Sequence, residues 1–131
     1  MLRRVRVDSL RMATTELPAP LRDQELLKTK AYVDGEWADA DSGETFPVVD
    51  PATGATLADV PRLGAGETRR AIAAAERAFP AWRSLLAKER AGILARWADL
   101  MLESREDLAV LMVVEQGKPL AEARVEVQYA A

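Results

Sequence analysis

The spacing of apolar residues changes period once along this chain, just after Gly64. Before that point, short β-branched and aromatic runs alternate with turn-forming dipeptides. After it, apolar residues recur at three- and four-residue spacing. In the first part, Glu25-Leu26-Leu27 suits one or two helical turns between Asp23 and Lys30. Ala31-Tyr32-Val33-Asp34-Gly35-Glu36-Trp37 then predicts a hairpin, because Asp-Gly accepts the positive φ values of a tight type I′ turn. Ser42-Gly43-Glu44 is a second turn, Thr45 to Asp50 a strand, Asp50-Pro51-Ala52-Thr53-Gly54 a third turn and Thr56 to Val60 a further strand. Pro47 and Pro61 lack amide donors, which assigns these strands to edges or ends. The expectation is a small antiparallel β-meander.

The second part predicts about four α-helices. Ile72, Ala75, Phe79 and Trp82 form the apolar face of the first, with Glu67 complementing the dipole at its start and Pro80 expected to break it. Ile93, Leu94, Trp97, Leu100 and Met101 are the stripe of the second, entered through Lys88-Glu89-Arg90. Ser104-Arg105-Glu106-Asp107 has the form of a capping box with Asp in the reaching position. Leu108, Leu111, Met112 and Glu115 lie along the third helix, which Gly117 closes in the left-handed conformation. Pro119 fits the first turn of the fourth, which is still running at Ala131 and is expected to be cut there by truncation.

Composition narrows the function more than the fold. At 131 residues and 49% hydrophobic content the chain can form one domain, and a net charge of −3 gives no reason to expect nucleic acid or an anionic membrane as partner. No apolar run approaches the ~20 residues of a membrane-spanning helix. The chain has no cysteine and no histidine, so it lacks a thiolate nucleophile, a disulfide, and both the commonest general base and the commonest metal ligand. Aromatic content is only 5%; an alanine-rich core of this kind suits a layer that completes its burial against another layer.

Residues 1–20 stand apart. Arg3, Arg4, Arg6 and Arg11 face only Asp8 and Glu16, and Leu17-Pro18-Ala19-Pro20 closes the stretch as a stiff linker. Such a start fits a disordered or misassigned extension, with translation beginning at Met12, or a mitochondrial transit peptide. The extension is drawn through residue 25, which leaves residues 26–131 as the folded part.

Taken singly, the motifs have structural explanations. Tyr32 to Trp37 is a hairpin, Gly117-Lys118-Pro119 a helix junction, and Lys118 a solvated charge; no Gly-rich phosphate loop is present. Their order is more specific. Tyr32-Val33-Asp34-Gly35-Glu36-Trp37, Asp50-Pro51-Ala52-Thr53-Gly54, Val60-Pro61, Ala81-Trp82-Arg83, Lys88-Glu89-Arg90-Ala91-Gly92-Ile93-Leu94 and Glu115-Gln116-Gly117-Lys118-Pro119-Leu120-Ala121-Glu122-Ala123 follow one another. In this order the chain resembles the amino-terminal region of the aldehyde dehydrogenase superfamily. In detail it is most similar to the succinate-semialdehyde dehydrogenases, and enzymes acting on glutarate semialdehyde share much of the segment.

The resemblance implies an α/β fold of which this chain supplies the β-meander and helices flanking the cofactor-binding domain. It implies an oxidoreductase that uses NAD or NADP, bound by residues outside this chain, with a small aldehyde as substrate, a homo-oligomeric assembly and a cytoplasmic location (the mitochondrial matrix being the alternative). The family's cysteine nucleophile, oxyanion-holding asparagine and water-activating glutamate have no counterpart here, so no catalytic or cofactor-binding residue is assigned and the chain alone is expected to be inactive. A non-catalytic helical interaction module, or a truncated remnant of the family, is the rival reading. Two further positions follow from the resemblance. Tyr129 corresponds to a residue lining the aldehyde tunnel, or else is a tyrosine packed in a helix interface. The backbone carbonyls of Val48 and Val49 with the side chain of Glu115 correspond to a Na⁺ or K⁺ site, although family members more often carry Asp there. Alternatively, Glu115 is a helix-end carboxylate paired with a nearby lysine or arginine.

Overall fold

The computed structural model describes residues 21–131. A 3₁₀ turn at Gln24–Leu26 precedes the strands β1 (Ala31–Val33), β2 (Glu36–Ala38), β3 (Thr45–Val49) and β4 (Thr56–Pro61). Four helices follow: α1 (Ala65–Ser84), α2 (Ala87–Glu103), α3 (Arg105–Gln116) and α4 (Leu120–Ala130). The strands do not join into one continuous meander. They form two separate two-stranded antiparallel sheets, β1 with β2 and β3 with β4.

Each hairpin follows from its turn. Asp34 and Gly35 both adopt positive φ, 55° and 87°, as a two-residue primed turn requires. This registers Tyr32 against Trp37, whose rings lie 5.0 Å apart and tilted, with the Lys28 ammonium 5.5 Å over Trp37. In the second hairpin Asp50 Oδ1 accepts the Ala52 N–H at 2.8 Å and Oδ2 accepts the Thr53 hydroxyl at 2.8 Å. These bonds, the backbone amide first, hold the Asp50 carboxyl below its ordinary pKa. Pro47 and Pro61 sit in two-stranded sheets, where every strand is an edge and a missing donor is tolerated.

α1 and α2 start in the same way. Glu67 Oε2 accepts the Gly64 N–H at 3.0 Å and Glu89 Oε2 accepts the Leu86 N–H at 2.7 Å, each carboxylate satisfying an amide at its helix N-terminus. Glu67 Oε1 also accepts the Asp41 N–H at 3.0 Å, tying the loop after β2 to α1. Pro80 does not break α1, which continues to Ser84. Its ring removes one backbone bond near the C-terminal end, a loss the remaining turn tolerates. The predicted face of α1 is covered only in part: Trp82 is half-buried and Ala75 borders the first hairpin. Ile72 and Phe79 are exposed, while Ala74 is buried and Ala71, Ala75 and Ala78 line the surface facing the β1–β2 turn.

The core lies at the other end. Val110 and Leu111 of α3 cluster with Leu21, and Leu26, Leu27 and Leu120 pack around them. Ala109 and Ala123 are fully buried where α3 and α4 pack closely. Glu106 accepts from Arg124 Nε at 2.9 Å and Nη2 at 2.8 Å, a two-pronged bond across the helix pair that lowers the Glu106 pKa.

Two expectations are corrected here. Asp107 is not the reaching residue of a capping box: the Ser104 hydroxyl makes no cap bond, and the Asp107 carboxylate is buried at 6% exposure. Its oxygens accept the backbone N–H groups of Arg22 and Asp23, at 3.0 and 2.9 Å. The extension boundary at residue 25 therefore falls inside a packed segment, since Leu21 is in the core and residues 22 and 23 are bound to α3. The rest of the predicted extension, residues 1–20, lies outside the described residues.

Candidate functional site

Three places hold the residues of interest. The first is the junction of α3 and α4. α3 ends at Gly117, which takes φ 71° and donates its N–H to Val113 O at 2.8 Å. A Cβ built on Gly117 would lie 3.1 Å from Pro51 Cγ. The end of α3 therefore abuts the turn that follows β3, where a side chain would press on the Pro51 ring and occupy the strained left-handed region. Val48 and Val49 are at the end of β3, where a bulge shifts the register opposite Ala58 and Thr56. Bulges re-aim the local backbone. Glu115 is exposed, two residues before Gly117, and among the described residues it forms no ion pair. Among the described residues, no lysine or arginine pairs with Glu115 as the alternative reading of a helix-end carboxylate expects. Lys118 instead pairs with Glu126 of α4. No cluster of three or more acidic, cysteine or histidine side chains able to hold a metal ion occurs among the described residues.

The second place is the end of α4. Tyr129 is 92% exposed, so it packs in no helix interface formed by the described residues. Its neighbours Ala130 and Ala131 border a groove of about 420 Å³ with Leu94, Trp97, Ala98 and Met101 of α2.

The third is a cleft of about 330 Å³ between the first hairpin and α1. Arg77 bonds Asp34 at 2.7 Å across it, and Arg70 makes a two-pronged bond to Asp41 at 2.8 and 2.7 Å. These arginines bind the carboxylates of the hairpin turn and of the loop after β2, and are not free for an anionic ligand. Sequence reasoning missed both pairs, since nothing in the spacing of Asp34 and Arg77 announces that they meet.

A nicotinamide dinucleotide does not fit the groups present. It needs a parallel strand leading into a free helix N-terminus that receives the pyrophosphate. The described strands are all antiparallel, and where β4 leads into α1 the Glu67 carboxylate already occupies the Gly64 amide and would repel a phosphate.

The described residues thus form a scaffold of hairpins and helices, and comparison with known proteins identifies that scaffold. Residues 37–131 match the aldehyde dehydrogenase family, and the chain belongs to that family. It is 60% identical over 111 residues to a glutarate-semialdehyde dehydrogenase of Pseudomonas aeruginosa, covering 85% of this chain and 23% of the relative. It is 57% identical over the same length to an NADP⁺ succinate-semialdehyde dehydrogenase of Escherichia coli, again covering 85% of this chain and 23% of the relative. Among solved structures, an E. coli NADP-dependent enzyme superposes with a TM-score of 0.83 at 56% identity, over 85% of this chain and 23% of that one. The succinate-semialdehyde dehydrogenase of Burkholderia pseudomallei gives 0.83 at 54% identity, over 86% and 23%. The matched stretch is the amino-terminal part of such enzymes, and the chain spans under a quarter of their length.

Proposed function

We propose that this chain is the amino-terminal layer of an NAD(P)-dependent semialdehyde dehydrogenase that oxidises succinate semialdehyde to succinate, with glutarate semialdehyde as the nearest competing substrate. The observation that carries the reading is the 57–60% identity to enzymes named for these two substrates. The role of the layer is structural: it presents helices against which the cofactor and catalytic parts are built, and it contributes no nucleophile.

The same reading gives Val48, Val49 and Glu115 a monovalent cation. The contact between Gly117 and Pro51 supports it, because it brings the helix end carrying Glu115 beside the turn that follows the β3 bulge. Backbone carbonyls and one carboxylate suit Na⁺ or K⁺ better than a divalent ion. Tyr129, exposed at the end of α4, would line the aldehyde entrance once the other layers are present.

The test is a chimera in which this chain replaces the matching 23% of the E. coli enzyme. NADP⁺ reduction with both semialdehydes, at rates within tenfold of the parent, is the expected result. A chimera that folds and assembles but reduces NADP⁺ with neither aldehyde would overturn the reading.

A further inference from the structure

Asp34-Gly35 is the only Asp-Gly dipeptide of the chain, and the chain contains no asparagine. Both residues are exposed, and both lie outside the ladder, since the register pairs Val33 directly with Glu36. Gly35 offers the least hindered backbone nitrogen that can follow an aspartate. It has no side chain, and nothing lies within 4 Å of where a Cβ would be built. The Asp34 carboxylate, however, is held from a distance: its Oδ2 accepts from Arg77 Nη2 of α1 at 2.7 Å, across 43 positions of sequence. The next candidate, Asp41-Ser42, has a side chain on the following residue, and both Asp41 oxygens are bound by Arg70.

We propose that Asp34 is a site of isoaspartate formation and that Arg77 is the residue restraining it. The nitrogen of Gly35 attacks Cγ of Asp34 and forms a C–N bond; the carboxyl hydroxyl leaves and takes up the amide proton as water. The product is a cyclic succinimide. Water then adds to one of its two carbonyls. Opening at the side-chain carbonyl restores aspartate, whereas opening at the main-chain carbonyl leaves the chain running through Cβ with a free α-carboxylate. The net change is an isomerisation, and water is the only co-reactant. Hydroxide leaves only from a neutral carboxyl, and Cγ must come onto the Gly35 nitrogen, so the bond to Arg77 opens before the ring closes. An exposed ion pair restrains such a step by a factor of about two to five.

The effect reaches beyond the turn. The rerouted backbone gains a carbon between Val33 and Glu36, and a two-residue primed turn no longer fits it. The register that sets Tyr32 against Trp37 depends on that turn, and Arg77, once released, faces the cleft without its carboxylate. The modified hairpin also presents a free α-carboxylate at an exposed turn, the group that isoaspartate-specific methyltransferases esterify with S-adenosylmethionine.

The 131-residue chain is aged at neutral pH and physiological temperature beside Arg77→Gln, Arg77→Lys and Arg69→Ala. Arg69 is an exposed arginine of α1 that forms no ion pair among the described residues. Isoaspartate is counted by methyl transfer from labelled S-adenosylmethionine and located by fragmentation of the peptide containing Asp34. It is expected at position 34, forming about two- to fivefold faster in Arg77→Gln than in the parent. Arg77→Lys should return toward the parental rate, and Arg69→Ala should equal it. Circular dichroism confirms that each variant keeps its helices. A second measurement needs no substitution: salt screens an exposed pair, so the parent should isomerise faster at high ionic strength than at low. Isoaspartate absent from position 34, equal rates in the parent and Arg77→Gln, an equal rise in Arg69→Ala, or a salt-independent parental rate would each overturn the proposal.

Discussion

Asp107 and Arg22 lie 85 positions apart, and the buried carboxylate of one accepts the backbone N–H of the other at 3.0 Å. The neighbouring amide of Asp23 bonds the second carboxylate oxygen at 2.9 Å. A carboxylate on the covered side of α3 thus does the work of a strand partner. It satisfies two main-chain donors and fixes the segment that delivers Leu21 to the core.

The two amides, Arg22 first, hold the Asp107 carboxyl below the ordinary 3.8 of an aspartate. A lowered folded-state pKa stabilises the fold above the ordinary value, and that contribution is lost as pH falls through the folded one. Asp107→Asn should therefore lower stability at neutral pH. It should also flatten the fall in urea midpoint that the parent shows below about pH 4, a window set by the ordinary aspartate value. Equal pH slopes in parent and variant would remove Asp107 from this role.

Gly117→Ala should destabilise the chain by at least about 1–2 kcal/mol, the cost of a left-handed non-glycine residue. The new Cβ adds a tight contact with Pro51 Cγ at 3.1 Å. The two effects separate in a double-mutant cycle with Pro51→Ala: the steric part is relieved in the double variant and the backbone part remains. Thermal melts followed by circular dichroism supply the four values.

Leu111→Ala should cost about 2–5 kcal/mol, the usual range for deleting a buried leucine side chain. Ile93→Ala, at an exposed position of α2, should change stability by less than about 0.5 kcal/mol. Urea melts of the two variants make the comparison. A large loss at Ile93 would show that α2 is covered in solution.

Purified alone, the chain should form no NAD(P)H with succinate semialdehyde, having no thiol nucleophile. It should enhance no NADPH fluorescence, since Glu67 occupies the helix start that would have to take the phosphates. Exposed Trp97, Leu94, Ile72 and Phe79 should make it bind an apolar-surface dye and elute as a broad or associating species. A monodisperse, dye-silent monomer would contradict the expectation that these faces need covering.

In a complete enzyme built around this layer, thermal stability should depend on whether Na⁺, K⁺ or a bulky organic cation is present at matched ionic strength. Glu115→Ala should abolish that dependence. If the variant keeps it, Glu115 is no ligand.

Period and turn chemistry are local, and the sequence alone determined what depends on them. The Asp34-Gly35 hairpin, the change to helix after Gly64, the left-handed stop at Gly117 and the ordered motifs of an aldehyde dehydrogenase were all legible. Each is set by backbone sterics or by spacing within a few residues. Only the tertiary structure decided which apolar face is covered, because that depends on what packs nearby: α1 turns its alanines toward the first hairpin and leaves Ile72 and Phe79 outside. It also decided the role of Asp107, whose spacing to Ser104 fits a cap. The residues 107, 110, 111 and 114 share the buried side of α3, and a carboxylate on that side needs donors from elsewhere in the chain. Those donors, the amides of Arg22 and Asp23, are main-chain groups present at nearly every position, so no side-chain pattern could have singled them out.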